Sequence, residues 1–215
     1  MYQEKTATLN ANEDGSCDIE QKKTRTRTIA KLGILSCLAF VLMLLEFSVP
    51  LMPPFLKFDF SEIPALLASF SMGPLAGVVV ELVKNLLHLP FTNTMCVGEL
   101  ANFIIGSSFV AVAGLIYKKH STRKAAYLSM LFATLAMALV GCVFNYFINI
   151  PFYINVMGFE MDAIINLTNA SGNMLVHDLT SLIAWVFVPF NLIKGAIISI
   201  AVGFLYMPLR PLLKK

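Results

Sequence analysis

Apolar residues in this chain come in long unbroken runs, with polar residues gathered at the ends of the runs or set singly inside them. A bilayer core asks for roughly 20 apolar residues per crossing helix. Ile29 to Val49 is the first such run, ended by the Pro50-Leu-Met-Pro53-Pro54 stretch. Ser61 reads as a helix N-cap with Pro64 in the first turn. Glu62 to Met72 follows, too short to cross untilted and closed by Gly73-Pro74. Pro74 to Leu89 is a third segment, and Val97 to Tyr117 a fourth that stops at Lys118-Lys119. Ala125 to about Phe152 is a long fifth, interrupted at Pro151. Ser181 to Met207 is too long for one straight span, and Pro189 has no N–H for the carbonyl of Trp185. The last helix is therefore expected to begin at Pro189, about 19 residues before Pro208. Residues 154 to 188 would form a loop with short helical pieces. The pattern predicts an all-α integral membrane protein with six transmembrane helices.

Charge position supplies the orientation. Of the 16 Lys and Arg residues, six lie between Lys5 and Lys31, four between Lys118 and Lys124, and three are Arg210, Lys214 and Lys215. Basic clusters beside membrane helices face the cytoplasm, so both termini and the middle loop are expected inside, which an even count of spans permits. Three regions result: a polar cytoplasmic tail over 1–28, a six-helix membrane domain over 29–208, and a basic cytoplasmic C-terminus over 209–215. The polar start shows no cleavable signal peptide.

Composition narrows the class. Of 215 residues, 57% are hydrophobic and 13% charged, and the mean hydropathy is +0.74. A soluble domain carries about 25% charged residues, which argues against a cytosolic enzyme. The net charge of +3 is not laid out as a basic stripe, so nucleic acid is not an expected partner. Cys17, Cys37, Cys96 and Cys142 have no metal-type spacing and are expected to be free thiols.

Ionisable groups inside spans are expensive and usually functional. Under the six-span topology, Glu99 and Asn102 fall in the first turns of helix 4, Asn145 and Asn149 in the last turns of helix 5, and Asn191 and Lys194 in the first turns of helix 6. Each pair is spaced i,i+3 or i,i+4 and presents one polar face. All three faces reach the same outer third of the membrane, where the loop carrying Phe55, Leu56, Lys57, Phe58 and Asp59 also lies. Apolar walls with a few convergent polar groups make a small-molecule pocket. Glu81 and Lys84 read as a neutralising pair within the bundle, His88 as an interfacial residue, and Asn149 as more an interhelical hydrogen-bonder than a ligand contact. If Lys194 serves ligand recognition, its replacement by Met should disturb folding little.

Catalysis finds no motif. His88, His120 and His177 belong to no HExxH, no GxSxG elbow occurs, and the chain has no Gly-Lys dipeptide for a phosphate loop. Neither a catalytic residue nor a metal site nor a cofactor is expected.

Five stretches carry a family resemblance: Pro53-Pro-Phe-Leu-Lys-Phe-Asp-Phe-Ser-Glu-Ile-Pro64, Gly73-Pro-Leu-Ala-Gly77, Lys84-Asn85, Gly98-Glu-Leu-Ala-Asn102 and Asn191-Leu-Ile-Lys194. Over roughly residues 29 to 208 the sequence resembles the riboflavin-specific S components of the energy-coupling factor (ECF) vitamin transporters. The resemblance implies a six-helix substrate-capture subunit in the bacterial cell membrane that binds riboflavin near the outer face, under the loop between helices 1 and 2. It also implies assembly with a transmembrane coupling subunit and two cytoplasmic ATPases. Asn side chains suit the hydroxyls of the ribityl chain, and a cation such as Lys194 suits the electron-accepting edge of the flavin ring. The substrate-binding positions are then Leu56, Lys57, Phe58, Asp59, Glu99, Asn102, Asn145, Asn191 and Lys194. The docking face on helix 1 is Ala30, Gly33 and Cys37, which departs from the family's Ala-x-x-x-Ala. Another vitamin, pyridoxine-like or pantothenate-like, and a structural or enzymatic membrane subunit remain open at this stage.

Overall fold

The computed structural model describes residues 24–119 and 122–213, with side chains as far as Tyr206. The chain divides between Ile34 and Leu35. Residues 24–34 are the opening turns of helix α1 (Thr24–Leu44); the helix packing and the cavity described below belong to the unit that begins at Leu35. Residues 24–28 of the tail expected over 1–28 are thus helical, and its remainder lies outside the described residues. At the other end the last helix runs to Leu213, through most of the expected C-terminal segment.

The chain is not wholly α. After α1, β1 (Phe47–Ser48) pairs antiparallel with β2 (Lys57–Phe58), Phe47 opposite Phe58 and Ser48 opposite Lys57. The pairing holds the Pro-rich loop between them as a closed flap. Helix α2 (Glu62–Met72) and helix α3 (Pro74–His88) follow, joined at Gly73 with φ of 102°, a conformation that L side chains avoid. Helix α4 (Val97–Lys119) comes after a short 3₁₀ turn at Leu89–Phe91. α3 packs on α2 and α4, α4 on α5, and α2 reaches α9. Phe109, Val110 and Ala113 of α4 and Leu66 and Ala68 of α2 are shut off from solvent at this centre.

Two long helices contain a π turn. Helix α5 (Arg123–Phe144) continues through a π turn at Asn145–Asn149 into α6 (Ile150–Asn155), giving one helix of 33 residues. After α7 (Met161–Ala170), α8 (Leu179–Leu182) runs through a second π turn at Ile183–Phe187 into α9 (Val188–Leu213). The last helix therefore begins ten residues before the expected Pro189. Asp178 caps it, accepting from Ser181 N at 2.8 Å while the Ser181 hydroxyl accepts from Asp178 N. Pro189 is tolerated because the π turn shifts the ladder to i,i+5 bonds and the amide of Asn173 donates to the carbonyl of Trp185 at 3.3 Å.

Ser61 is a second correction. Its backbone is already α-helical and its side chain makes no cap bond. Asp59 accepts from the Ser61 N–H at 2.7 Å instead, leaving the Ser61 hydroxyl to Lys84 at 2.5 Å.

Among the described residues, five helices are long and apolar enough to cross a membrane: those starting at Thr24, Pro74, Val97, Arg123 and Leu179. α2, with 11 residues, spans about 16 Å and is short of a bilayer core.

Candidate functional site

A cavity of about 340 Å³ opens at the end of the bundle where α4 begins and the α5–α6 helix ends. Eight of the nine expected binding positions line it: Leu56, Lys57, Asp59, Glu99, Asn102, Asn145, Asn191 and Lys194. Phe58 does not. Strand alternation turns its ring the other way, against Phe47 at 5.4 Å, Phe60 at 5.3 Å and Phe190 at 6.5 Å between ring centres. It backs the flap.

Five charged residues from four elements form the floor of the site and the packing behind it. Lys194 of α9 lies 3.0 Å from Asp59 in the flap and 2.9 Å from Glu62 of α2. Lys84 of α3 lies 2.9 Å from Glu81 and 3.4 Å from Glu62. All five are buried. Glu81 and Lys84 pair as expected, but inside a larger set of three carboxylates and two ammoniums. Burial alone would raise the Asp59 carboxyl. The Lys194 and Lys84 ammoniums and the Ser61 donors outweigh it and hold the group well below the usual carboxylate range.

A second polar set occupies the wall. His88 is buried, with Nδ1 3.1 Å from Glu99 Oε1, and is not the interfacial residue expected. The 3₁₀ turn after α3 reverses the chain and brings Thr92 within 2.7 Å of the other Glu99 oxygen. Asn149 donates to Asn145 Oδ1 at 2.6 Å, and Asn145 and Asn191 each donate to the carbonyl one turn back. Three buried acceptors of the cavity residues, Asn102 Oδ1, Asn149 Oδ1 and Glu62 Oε2, have no hydrogen-bond partner within the described protein. Buried acceptors without partners are costly, so a ligand rich in hydroxyl or N–H donors would satisfy them.

The apolar wall is aromatic. Phe55 meets Tyr153 edge-on at 5.7 Å and Phe187 at 6.5 Å. At the rim Lys57 is paired with Glu46, which lies between α1 and β1. The cavity also takes in His88, expected at an interface and not in a pocket, and Glu62, Tyr153 and Phe187, to which the sequence assigns no role. Only Glu62 left a local trace, three positions after Asp59. Cys37, on the expected docking face, is exposed; Cys37, Cys96 and Cys142 are free, and Cys17 lies outside the described residues.

Residues 27–206 match the family ECF transporter, substrate-specific component. The chain belongs to that family. It is 38% identical over 191 residues to the riboflavin transporter RibU of Staphylococcus aureus (strain TCH60), covering 89% of this chain and 94% of the relative. It is 34% identical over 190 residues to the riboflavin transporter FmnP of Bacillus subtilis (strain 168), covering 87% of this chain and 94% of that one. A solved structure described as the S component of a bacterial ECF transporter aligns with a TM-score of 0.70 at 36% identity, covering 89% of this chain and 99% of the other. This S component is thus a bacterial membrane protein and a transporter subunit, not an enzyme.

Proposed function

We propose that this S component captures riboflavin from outside the cell and hands it to an ATP-driven coupling module for uptake. The cavity carries the reading. Its volume falls in the range of small-molecule pockets, about 300–1,000 Å³, and its aromatic wall suits a flat ring. The unpartnered acceptors Asn102 Oδ1, Asn149 Oδ1 and Glu62 Oε2 suit a polyhydroxyl chain and the ring N–H. Two relatives that are more than a third identical to this chain over the aligned residues are themselves named riboflavin transporters.

In this reading the protein crosses the plasma membrane six times, with both termini in the cytoplasm and the cavity facing out. α2 supplies the sixth crossing. Its first residue, Glu62, stands at the cavity against Lys194, and Phe70 near its end packs on Tyr117 at 4.5 Å and Tyr206 at 6.4 Å, at the far ends of α4 and α9. A helix too short for the bilayer is sustained because its neighbours bury most of it. Ala30, Gly33 and Cys37 on α1 form the face that docks a transmembrane coupling subunit, small side chains permitting close helix approach. Two cytoplasmic ATPases complete the importer.

The test is direct. Protein extracted in detergent from cells supplied with riboflavin should be yellow, with a flavin absorption spectrum. A colourless preparation that takes up no added riboflavin contradicts the reading.

A further inference from the structure

Along α5 and α6 the cavity wall is longer than a plain α-helix can present on one side. Met137, Asn145, Asn149 and Tyr153 all line the cavity, at spacings of eight, four and four residues. At about 100° per residue, each step of four over-rotates by roughly 40° on an α-helix. From Met137 to Tyr153 the drift would reach roughly 160°, so the two side chains would face nearly opposite directions. The π turn at Asn145–Asn149 holds one residue more than an α turn, which takes back about 100° of the drift. The four residues stay on one stripe.

What holds the π turn is two residues beyond it. The turn closes with Ile150 N–H donating to Asn145 O. Pro151 has no N–H for the carbonyl of Phe147, and its ring crowds that carbonyl. The arrangement recurs in the last helix, where the π turn at Ile183–Phe187 closes with Val188 N–H donating to Ile183 O, two residues before Pro189. Repetition of the same offset in two helices links each π turn to its proline.

We infer that Pro151 is a positioning residue for the ligand: by holding the π turn it sets the direction in which the helix delivers Asn145 and Asn149 to the cavity. The inference rests on the riboflavin reading for its binding readout, and on helix geometry for a second readout that needs no ligand. Replacing Pro151 by Ala restores an N–H and removes the ring. The ladder can then close, rotating Met137 and Gly141 by about 100° relative to Tyr153.

The test compares Pro151→Ala with the wild type by riboflavin fluorescence quenching and by thermal melting without ligand. Expected are a tenfold or greater rise in Kd, an apo melting temperature no lower than wild type, and loss of most of the effect of Asn149→Ala when it is added to Pro151→Ala. Spin labels at Leu139→Cys and Val156→Cys, both exposed and flanking the π turn, should change their separation on Pro151→Ala in a background lacking the native cysteines. Unchanged affinity or unchanged separation overturns the inference. So does weaker binding that follows a lowered apo melting temperature and adds to Asn149→Ala. Pro151→Ser, which also restores the N–H, serves if the Ala variant does not fold, and failure of both to fold overturns positioning in favour of a folding role. A wild type that ignores riboflavin sinks the ligand reading instead, and the label separation then decides the inference alone.

Discussion

Lys194 and Asp59 lie 135 positions apart in the chain and 3.0 Å apart in the fold. The contact fastens the flap between β1 and β2 to the first turns of α9, and Glu62 completes it from α2. It also corrects the expectation that Lys194→Met would leave folding little disturbed. Removing the ammonium takes the close cation from buried Asp59 and leaves Glu62 with Lys84 alone, at 3.4 Å; breaking a buried pair typically costs about 3–5 kcal/mol. Lys194→Met should therefore lower the apo melting temperature as well as weaken riboflavin binding. Adding Asp59→Asn should recover part of the melting temperature, a non-additivity expected of direct partners. A Lys194→Met protein that melts like the wild type would show that the pair does not hold the flap.

The same pair sets an acid limit. Asp59 is held below its ordinary value of 3.8 in the folded protein. A depressed carboxyl contributes stability that is complete above the unfolded value and is lost as pH falls below it. Melting temperature should therefore change little through this group between neutral pH and about pH 5, then fall below about pH 4. Asp59→Asn should show a shallower acid fall when the two curves are overlaid. Equal slopes would assign the acid transition to other carboxylates.

Asn102 offers a cleaner separation of binding from stability. Its Oδ1 has no partner among the described residues, so Asn102→Leu removes a buried unsatisfied acceptor and should leave the apo melting temperature equal or higher. A ligand donor that loses this partner should cost about 1–3 kcal/mol, or roughly one to two decades in Kd. Isothermal titration alongside a melt distinguishes the two effects. An Asn102→Leu protein with wild-type affinity would remove α4's amide from the site.

The polar positions on α4, α5 and α9 were legible in the sequence because helical spacing of three or four fixes a shared face without any tertiary knowledge. The charge cluster was less legible. Glu81 and Lys84 are three residues apart and could be paired by eye, whereas the partners of Lys194 come from two other elements and depend on how the flap folds. His88 was misread because its partner Glu99 reaches it only after the Leu89–Phe91 turn reverses the chain. Proline as a helix breaker places a helix start at Pro189, and the rule says nothing of the π turn at Ile183–Phe187 that absorbs it. Phe58 was grouped with its neighbours in the flap, although the two-residue strand alternates its side chains.

On α1, Gly33→Trp should block assembly with the coupling module while riboflavin binding by the isolated subunit survives. Bulk at a small-residue position prevents close helix approach, and Gly33 lies ten residues before Met43, the first cavity residue of α1. Co-purification of the tagged coupling subunits reads out the first half and a riboflavin titration the second. Intact assembly would move the docking surface off this face.

One riboflavin molecule is expected to occupy the cavity beside Lys194. Titrating the purified, ligand-free S component with riboflavin, followed by quenching of flavin fluorescence, measures it most directly. Saturable one-to-one quenching is expected, weakened by at least tenfold in Asn191→Leu and not displaced by excess pyridoxine or pantothenate. Absence of saturable quenching, or displacement by either of those compounds, would contradict it.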